Sequence, residues 1–489
     1  MHREGSTYNM RNQYEINSER HNAIYDMLVI VLSICFLMSM WWEETGAMNF
    51  LLMAIYFICT YTQFKERRYG CAFFYIMFFL FLLDTIFFGL FNQNLKYKFW
   101  STAEERHILF CLGLAVVGVY LGAEIKTKFT IGIGTRSLSE NNNDKDYLVS
   151  DRMQYFLRIA YLVCSLAELA NTLAKVIFCQ IYTYGAYYTD YTSPLPYFIR
   201  VVADISPLMF YFYLGTLPER KKALLPCGLY ILIGVLALFY GQRNVSVVRF
   251  LIVLSYFLMR NNSEDEEWIN KRQIMLLIVI LPFVINFMSF WQSYRNYQEY
   301  AGGGIFNKVL AALLNQGNCI SILDFEYIYR SKLPDKLYAL GGIISFLHNN
   351  LISRLIGISS IPTQMHTVET ALNGYSFGAA LMYVENRNGY LLGFGIGSCY
   401  IAELYNSFGG IGVFIGSMIY GIVLRKLNAF QGKGFIVNGF VLYMFQKLLM
   451  APRATYDGFI SDTFQIANLF IAFVLWMLSK YVWPEDLNG

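Results

Sequence analysis

Long apolar runs separated by short polar connections account for most of the chain after residue 23. A helix needs about 20 apolar residues to cross the hydrocarbon core of a bilayer. Runs of this kind lie at 24–42, 46–64, 70–92, 108–125, 153–179, 197–217, 223–241, 245–260, 273–292, 398–424, 435–451 and 463–481. The pattern predicts an all-α, polytopic integral membrane protein with about 12 transmembrane helices.

Composition excludes a water-soluble fold. The chain is 56% hydrophobic and 15% charged, and its mean hydropathy is +0.40, well above the average of soluble proteins. The first apolar run, from Ile24 to Trp42, is long and lacks a small-residue cleavage site. We therefore interpret it as a signal anchor that stays in the protein.

Lys and Arg gather in alternate connections, and this predicts the orientation of the chain. They concentrate at 65–68, 126–152, 220–222, 260–272 and 425–433. Because basic residues favour the cytoplasmic side of a membrane, both termini are expected in the cytoplasm.

One connection, residues 293–397, is far longer than the others and is expected outside the cytoplasm. Its amphipathic stretch Ile305–Leu314 and its apolar stretch Tyr338–Leu347 are too short to span a bilayer. We expect short helices that lie on the membrane surface. The chain then divides into the first nine transmembrane helices (1–292), this large extracytoplasmic loop, and the last three helices (398–489).

Arginines collect on the predicted outer side, where they are candidates for binding a pyrophosphate: Arg243, Arg249, Arg295, Arg354 and Arg453. A guanidinium binds phosphate oxygens in a bidentate manner and stays charged at every relevant pH. Arg249 lies inside an apolar run and should face protein or a water-filled cavity. For each of these arginines the alternative is contact with lipid headgroups at a helix end.

The segment Gly393–Ser398 precedes the tenth predicted helix on the outer side. Ser398 would be the N-cap of this helix, and free amides around Gly395 and Gly397 could receive an anion. The structural alternative is a tight turn that leads into the helix. Further along, Gly412 and Gly416 have the spacing that allows close helix packing.

Three side chains on the outer side could accept a proton. Glu403 needs water or a partner near the membrane boundary, and it could serve as a base or pair with Arg243 or Arg453. His348 and His366 lie in the large loop, where an imidazole could act as a base or fill a structural role.

No Walker loop, strand-borne GxGxxG or paired-Asp motif for a metal-bound sugar nucleotide is present in the sequence. Cys and His do not cluster at the spacing of metal ligands either. The substrate is therefore expected to arrive already activated on a lipid, and we expect no metal and no other cofactor.

Three stretches resemble the O-antigen polysaccharide polymerase (Wzy) family: Gly241-Gln-Arg243-Asn, Gly393-Phe-Gly-Ile-Gly-Ser-Cys-Tyr-Ile-Ala-Glu403-Leu-Tyr-Asn-Ser-Phe-Gly-Gly-Ile-Gly412 and Ala451-Pro-Arg453. The resemblance implies a glycosyltransferase of GT-C-like architecture in the bacterial cytoplasmic membrane, with its active site facing the periplasm or the exterior. It would join oligosaccharide repeat units carried on undecaprenyl pyrophosphate, for O-antigen, capsule or exopolysaccharide.

The reaction that this resemblance implies displaces a pyrophosphate, whose charge must be held. Our hypothesis is that Arg243, Arg249 and Arg453, with Arg295 or Arg354, hold the pyrophosphate, and that Glu403 or a loop histidine such as His366 takes the acceptor proton. The implied partners are the donor and acceptor lipid-linked units and membrane lipids. A flippase and a chain-length regulator are candidate protein partners, and no nucleic acid is expected.

Two other functions stay open on the sequence. An O-antigen ligase would also have many spans and a large outer loop. A flippase or transporter for lipid-linked oligosaccharides is the second alternative, because charged residues such as Glu168 and Lys175 lie inside predicted spans.

Overall fold

The computed structural model describes residues 4–92, 100–125, 150–182, 187, 190–263, 267–295, 305–427 and 434–483. Over these ranges the regular elements are all helices, and none is a strand. The predicted all-α fold class is thereby confirmed. Helices satisfy their own backbone hydrogen bonds, which a chain inside a bilayer requires.

The helices follow one another from the first to the last described range, and we number them in chain order. They are α1 (Glu4–Trp41), α2 (Thr45–Lys65), α3 (Tyr69–Phe91), α4 (Thr102–Glu124), α5 (Asp151–Ile181), α6 (Tyr197–Gly215), α7 (Arg220–Tyr240), α8 (Arg243–Ser263), α9 (Lys271–Arg295), α10 (Ile305–Gly317), α11 (Ser321–Tyr329), α12 (Gly341–Asn349), α13 (Leu351–Leu355), α14 (Val368–Asn373), α15 (Phe377–Glu385), α16 (Arg387–Leu391), α17 (Tyr400–Leu427), α18 (Phe435–Arg453), α19 (Gly458–Ser461) and α20 (Ile466–Val482).

Nine helices in the described ranges are long and apolar enough to cross a membrane: α1 from Ala23 onward, α2 to α7, α17 and α18. The other three predicted runs fall on α8, α9 and the shorter apolar helix α20. Every predicted run therefore falls on helical residues, although the run at 398–424 is divided at Gly409 into two helical segments. The count of 12 spans, the cytoplasmic termini and the GT-C-like arrangement stay predictions.

Helix α17 reverses direction at Gly409, whose backbone has φ +65° and ψ −161°. This conformation is open to glycine and strained for other residues. The Ser417 hydroxyl lies 3.4 Å from the Tyr400 hydroxyl, although 17 residues of straight helix would separate them by about 25 Å. Residues 400–408 therefore form a folded-back segment that packs against the rest of α17.

The reversal changes which glycines mediate helix packing. A Cβ on Gly421 would overlap the backbone of α4, and a Cβ on Gly122 would overlap the backbone of α17. These two glycines thus bring α4 and α17 into backbone contact. Gly412 and Gly416 allow the close packing that was predicted for them, but the neighbour is the folded-back segment of their own helix: a Cβ on Gly412 would overlap Phe408 Cβ, and one on Gly416 would lie 2.5 Å from Leu404 Cδ1.

Helix α3 contains one wide turn, Phe79–Leu83, in which the Asp84 N–H donates to the Phe79 carbonyl five residues earlier. Asp84 is fully buried just after this turn. A Cβ on Gly317 would overlap the Asp84 carboxylate. The glycine at the end of α10 therefore lets the large loop approach α3 closely.

The large loop contains the short helices α10 to α16 and is attached to the membrane helices through its backbone. The Ala339 N–H donates to the Ser407 hydroxyl oxygen over 3.1 Å, and the Ile343 N–H donates to Asp457 over 2.7 Å. Short helices were expected in this loop and are found. Their position on the membrane surface and the domain limits at 292 and 397 stay predictions.

Candidate functional site

Glu403 lies in the folded-back segment of α17 and is only 1% exposed. Its Oε1 accepts a hydrogen bond from the Ser398 hydroxyl over 2.6 Å, and its Oε2 accepts one from the Tyr456 N–H over 2.8 Å. A buried carboxylate is costly unless hydrogen bonds satisfy it. Both oxygens of Glu403 are engaged, so it bridges α17 and the connection after α18.

That connection, which we call the 453–457 turn, is held from two sides. The Tyr456 carbonyl accepts a hydrogen bond from the Tyr420 hydroxyl over 2.5 Å, and the two rings stack with centroids 5.0 Å apart. Asp457 is 1% exposed and its Oδ2 accepts the hydrogen bond from Ile343. Burial raises the pKa of Asp457 to about 6, and the Ile343 N–H opposes this rise. The turn thus joins α17 to the large loop.

Arg453 begins this turn at the end of α18 and is exposed. Its Nη1 donates to the Gln316 amide oxygen over a long 3.4 Å, and its guanidinium carbon lies 5.9 Å from the centre of the Phe81 ring. Both contacts are with neutral groups. The positive charge of Arg453 is therefore left available for an anion.

Arg249 has the opposite surroundings. It is 6% exposed, forms an ion pair with Glu168 and lies with its guanidinium carbon 4.5 Å from the centre of the Tyr230 ring. Its Nη1 also donates to the Tyr230 carbonyl over 3.3 Å. Burial inside the protein was expected for Arg249, but its charge is already matched by a carboxylate.

The remaining predicted arginines lie at helix ends or on the surface. Arg243 is the first residue of α8 and is partly buried. A cation is unfavourable at a helix N-terminus unless an anion or another partner compensates. Arg354 is exposed on α13. Arg295 ends α9, and its side chain lies outside the described residues.

The glycine segment before α17 is an exposed turn. Gly393 and Gly397 have φ of +97° and +80°, and a Cβ on Gly395 or Gly397 would meet nothing within 4 Å. A ligand could therefore approach this backbone closely. The N-cap prediction for Ser398 is wrong, because α17 begins two residues later and the Ser398 hydroxyl donates to Glu403 instead.

His366 is held in a geometry suited to accepting a proton. Its Nδ1 lies 2.9 Å from the Tyr390 carbonyl oxygen, and its backbone N–H donates to the Tyr390 hydroxyl over 3.0 Å. The tautomer with hydrogen on Nδ1 satisfies the carbonyl and leaves the Nε2 lone pair free. His366 also has φ +63°, a strained value that occurs at functional sites more often than elsewhere.

His348 has a similar but simpler arrangement, with Nδ1 lying 3.1 Å from the Ser359 carbonyl oxygen. Asn349 beside it makes two hydrogen bonds to the backbone of Ile361. These contacts stabilise the hairpin formed by α12 and the chain after α13.

Four buried acids were missed by the sequence analysis: Asp84, Asp324, Glu326 and Asp457. Glu326 is fully buried, accepts two hydrogen bonds from Arg330 over 2.7 and 2.9 Å, and lies 3.2 Å from His107 Nε2. Each acid contacts a different part of the large loop or belongs to it. An acid inside an apolar run was a usable signal for Asp84, whereas Asp457 and Glu326 lie outside such runs.

Within the described ranges, no group of three or more His, Cys, Asp and Glu side chains could hold a metal ion. Hydrogen bonds join Glu403 to Ser398 and to the 453–457 turn, which also contains Arg453 and Asp457. Arg249 lies in a separate ion pair with Glu168. The roles proposed for these residues stay predictions at this point.

Comparison with known proteins gives one result that covers nearly the whole chain. The family model described as O-antigen polysaccharide polymerase Wzy matches residues 23–484. No curated protein matches the chain. No solved structure matches it either.

Proposed function

The chain belongs to the O-antigen polysaccharide polymerase Wzy family, and we propose that it polymerises oligosaccharide repeat units carried on undecaprenyl pyrophosphate. Membership implies a repeat-unit polymerase of the glycosyltransferase kind in a multi-pass membrane protein. We place the reaction at the outer face of the bacterial cytoplasmic membrane, in the synthesis of O-antigen, capsule or exopolysaccharide. The observation that carries the proposal is the family match over residues 23–484.

In the proposed reaction, a hydroxyl at the non-reducing end of an incoming lipid-linked unit attacks the anomeric carbon of the growing chain. The bond from that carbon to the pyrophosphate oxygen breaks, and a new glycosidic bond forms. The hydroxyl proton passes to a base, and undecaprenyl pyrophosphate leaves with the electron pair. The protein must therefore hold the negative charge of the leaving group and accept one proton.

Arg453 is the residue best suited to hold the leaving group. Its guanidinium is exposed and contacts only the neutral Gln316 and Phe81 among the partners observed. A charged donor that is already in place stabilises charge as it develops in the transition state. We assign Arg243, at the start of α8, to the same pyrophosphate, with Arg295 or Arg354 as additional contacts. The exposed backbone at Gly395 and Gly397 is a further place where the phosphate could bind.

His366 is the preferred base. The hydrogen bond from Nδ1 to the Tyr390 carbonyl orients the ring and leaves Nε2 for the acceptor hydroxyl. Glu403, the other candidate base, uses both carboxylate oxygens in buried hydrogen bonds. Those bonds favour a role for Glu403 in holding the 453–457 turn.

Reconstitution tests the proposed function directly. The purified protein in vesicles is supplied with undecaprenyl-pyrophosphate-linked repeat units, and the products are separated by size. A ladder of lengths is the expected result. Attachment of glycan only when a lipid A core acceptor is supplied would select a ligase, and movement of the unit across the bilayer without covalent change would select a flippase. Either result would overturn the polymerase assignment.

A further inference from the structure

Asp457 is buried at the point where the 453–457 turn meets the large loop. Its Oδ2 accepts a hydrogen bond from the Ile343 N–H over 2.7 Å, and Ile343 is the third residue of α12. Amides in the first turn of a helix lack partners within that helix. A carboxylate there satisfies an amide and also suits the positive end of the helix dipole.

The loop backbone is shaped to receive this carboxylate. A Cβ on Gly342 would lie 2.8 Å from Asp457 Oδ1 and 2.6 Å from the Ser461 hydroxyl oxygen. Any larger residue at position 342 would therefore displace the acid. Asp457 Oδ1 is buried without a hydrogen-bond partner among the described residues, so the close fit is maintained mainly through Oδ2.

A second hydrogen bond holds the opposite side of the turn. Glu403 accepts the hydrogen bond from the N–H of Tyr456, the residue next to Asp457. The turn is thus fixed between α17 and α12 by two consecutive residues. Arg453 starts the same turn, and its guanidinium reaches Gln316 in another part of the large loop. A change in the attachment of the turn would therefore move Arg453 relative to the loop.

We infer that Asp457 is a positioning residue that couples docking of the large loop to the placement of Arg453. It acts through the hydrogen bond to Ile343 and does not itself contact substrate. The inference deepens the proposed function, on which it rests. Its first test needs no activity, so that the two can fail separately.

The first test measures amide hydrogen exchange in the purified full-length protein. Asp457→Ala removes the acceptor, whereas Asp457→Asn keeps an oxygen for the Ile343 N–H. Loss of a hydrogen bond to a charged group should speed exchange about tenfold or more. We expect faster exchange over both 341–349 and 453–457 in Asp457→Ala and a smaller change in Asp457→Asn. Unchanged exchange, or a change in only one of the two segments, overturns the coupling.

Asp462 provides a matched control from the same region. Its side chain is 46% exposed and pairs with Lys447 over 2.7 Å. Asp462→Asn removes one carboxylate charge five residues from Asp457 without touching the loop contact. Exchange over 341–349 and 453–457 should match the wild-type protein. A change equal to that of Asp457→Ala would show a nonspecific charge effect and overturn the inference.

The second test measures coupling between Asp457 and Arg453 in the reconstituted reaction. Arg453→Lys and Asp457→Asn are compared alone and together. If Asp457 acts through Arg453, the double variant should polymerise about as slowly as the slower single variant. If the rate losses of the two single variants multiply in the double variant, Asp457 acts independently of Arg453. This result would overturn the positioning role. If wild-type protein gives no ladder, the proposed function falls and the exchange experiment alone decides the role of Asp457.

Discussion

Arg249 and Arg453 were predicted to share one task, yet the structure gives them opposite surroundings. Arg249 is 6% exposed and paired with Glu168. Arg453 is exposed and contacts a neutral amide and a phenyl ring. The charge of Arg249 is matched by the carboxylate of Glu168 on α5, whereas the charge of Arg453 is available to a ligand.

The comparison shows that the position of a charged residue deep inside an apolar run does not indicate that it binds a ligand. A charge inside a span needs a partner, and for Arg249 that partner is another side chain of the protein. An arginine at the end of a helix has no such requirement, because water is near. Five predictions test this contrast, from the largest expected effect to the smallest.

Arg453→Ala should abolish long glycan chains and leave the single lipid-linked unit. Loss of one donor to the developing charge costs about 10³-fold in rate. The measurement is the product ladder made by reconstituted protein, with Arg453→Lys as a partly active comparison. Because Arg453 is exposed, the amount of folded protein should be unchanged. A product ladder of normal length would show that Arg453 does not belong to the site.

Arg249→Ala should destabilise the protein, since it leaves Glu168 buried without its partner. Breaking a buried ion pair costs about 3–5 kcal/mol. The free energy of unfolding in detergent should fall by that amount, and activity should fall only with the amount of folded protein. Replacing both Arg249 and Glu168 by apolar residues should recover much of the loss. Normal stability together with a loss of polymer would instead indicate that Arg249 binds the pyrophosphate.

His366→Gln should slow polymerisation about 10²-fold or more without affecting binding of the lipid-linked unit, because a lost base affects the proton transfer. The rate and the affinity are measured separately. His348→Gln is the matched control from the same loop and should remain close to wild type. Equal losses in both variants would indicate a structural role for the two histidines.

The 453–457 turn, which contains Arg453, is attached to the large loop through Asp457, a residue that titrates. Burial raises the pKa of Asp457 to about 6, compared with about 3.9 for a free aspartate. The folded protein therefore binds this proton more tightly than the unfolded chain does. The contribution of Asp457 to the free energy of unfolding is fully present below about pH 4 and is lost as the pH rises through about 6, by at most about 3 kcal/mol.

Comparison with Asp457→Asn, which does not titrate, isolates this effect. The melting temperature of wild-type protein relative to that variant should fall between about pH 4 and about pH 7 and stay constant at higher pH. The Asp462 carboxylate adds to the rise in the Asp457 pKa, so Asp462→Asn should show the same fall, shifted to a slightly lower pH. A difference that does not vary with pH would contradict the raised pKa.

Glu403→Gln should have the smallest effect, about tenfold or less in rate. Glutamine keeps an oxygen for the Tyr456 N–H, and its amide can donate to the Ser398 hydroxyl oxygen. The 453–457 turn should therefore keep its place. A loss as large as that of Arg453→Ala would identify Glu403 as the base.

The helices could be predicted from the sequence to a large extent. The apolar runs fall on helical residues because bilayer thickness fixes the length of an apolar helix, and only the run at 398–424 is divided within its length. The reversal at Gly409 could not be predicted, since Gly409 belongs to a glycine-rich stretch in which several positions could bend. It turned the expected packing glycines Gly412 and Gly416 toward the folded-back segment.

For the candidate site, the sequence indicated the residues better than the contacts that they make. Glu403 and Arg453 were both singled out, but Glu403 pairs with Ser398 and with a backbone amide 53 residues away. Such a partner is determined by how the helices pack in the fold. The local sequence pattern carries no information about that packing. Asp457 was missed for the same reason, because its partner Ile343 is brought near only by docking of the loop.

The wide turn in α3 determines the direction in which Asp84 points. One extra residue in a helical turn rotates everything after it by about 100° around the helix axis. With regular geometry, the Asp84 carboxylate would lie on a different side of α3. Deleting one residue from 79–83 should therefore rotate Asp84 away from Gly317 and separate the large loop from α3, even though no residue at the contact has been changed.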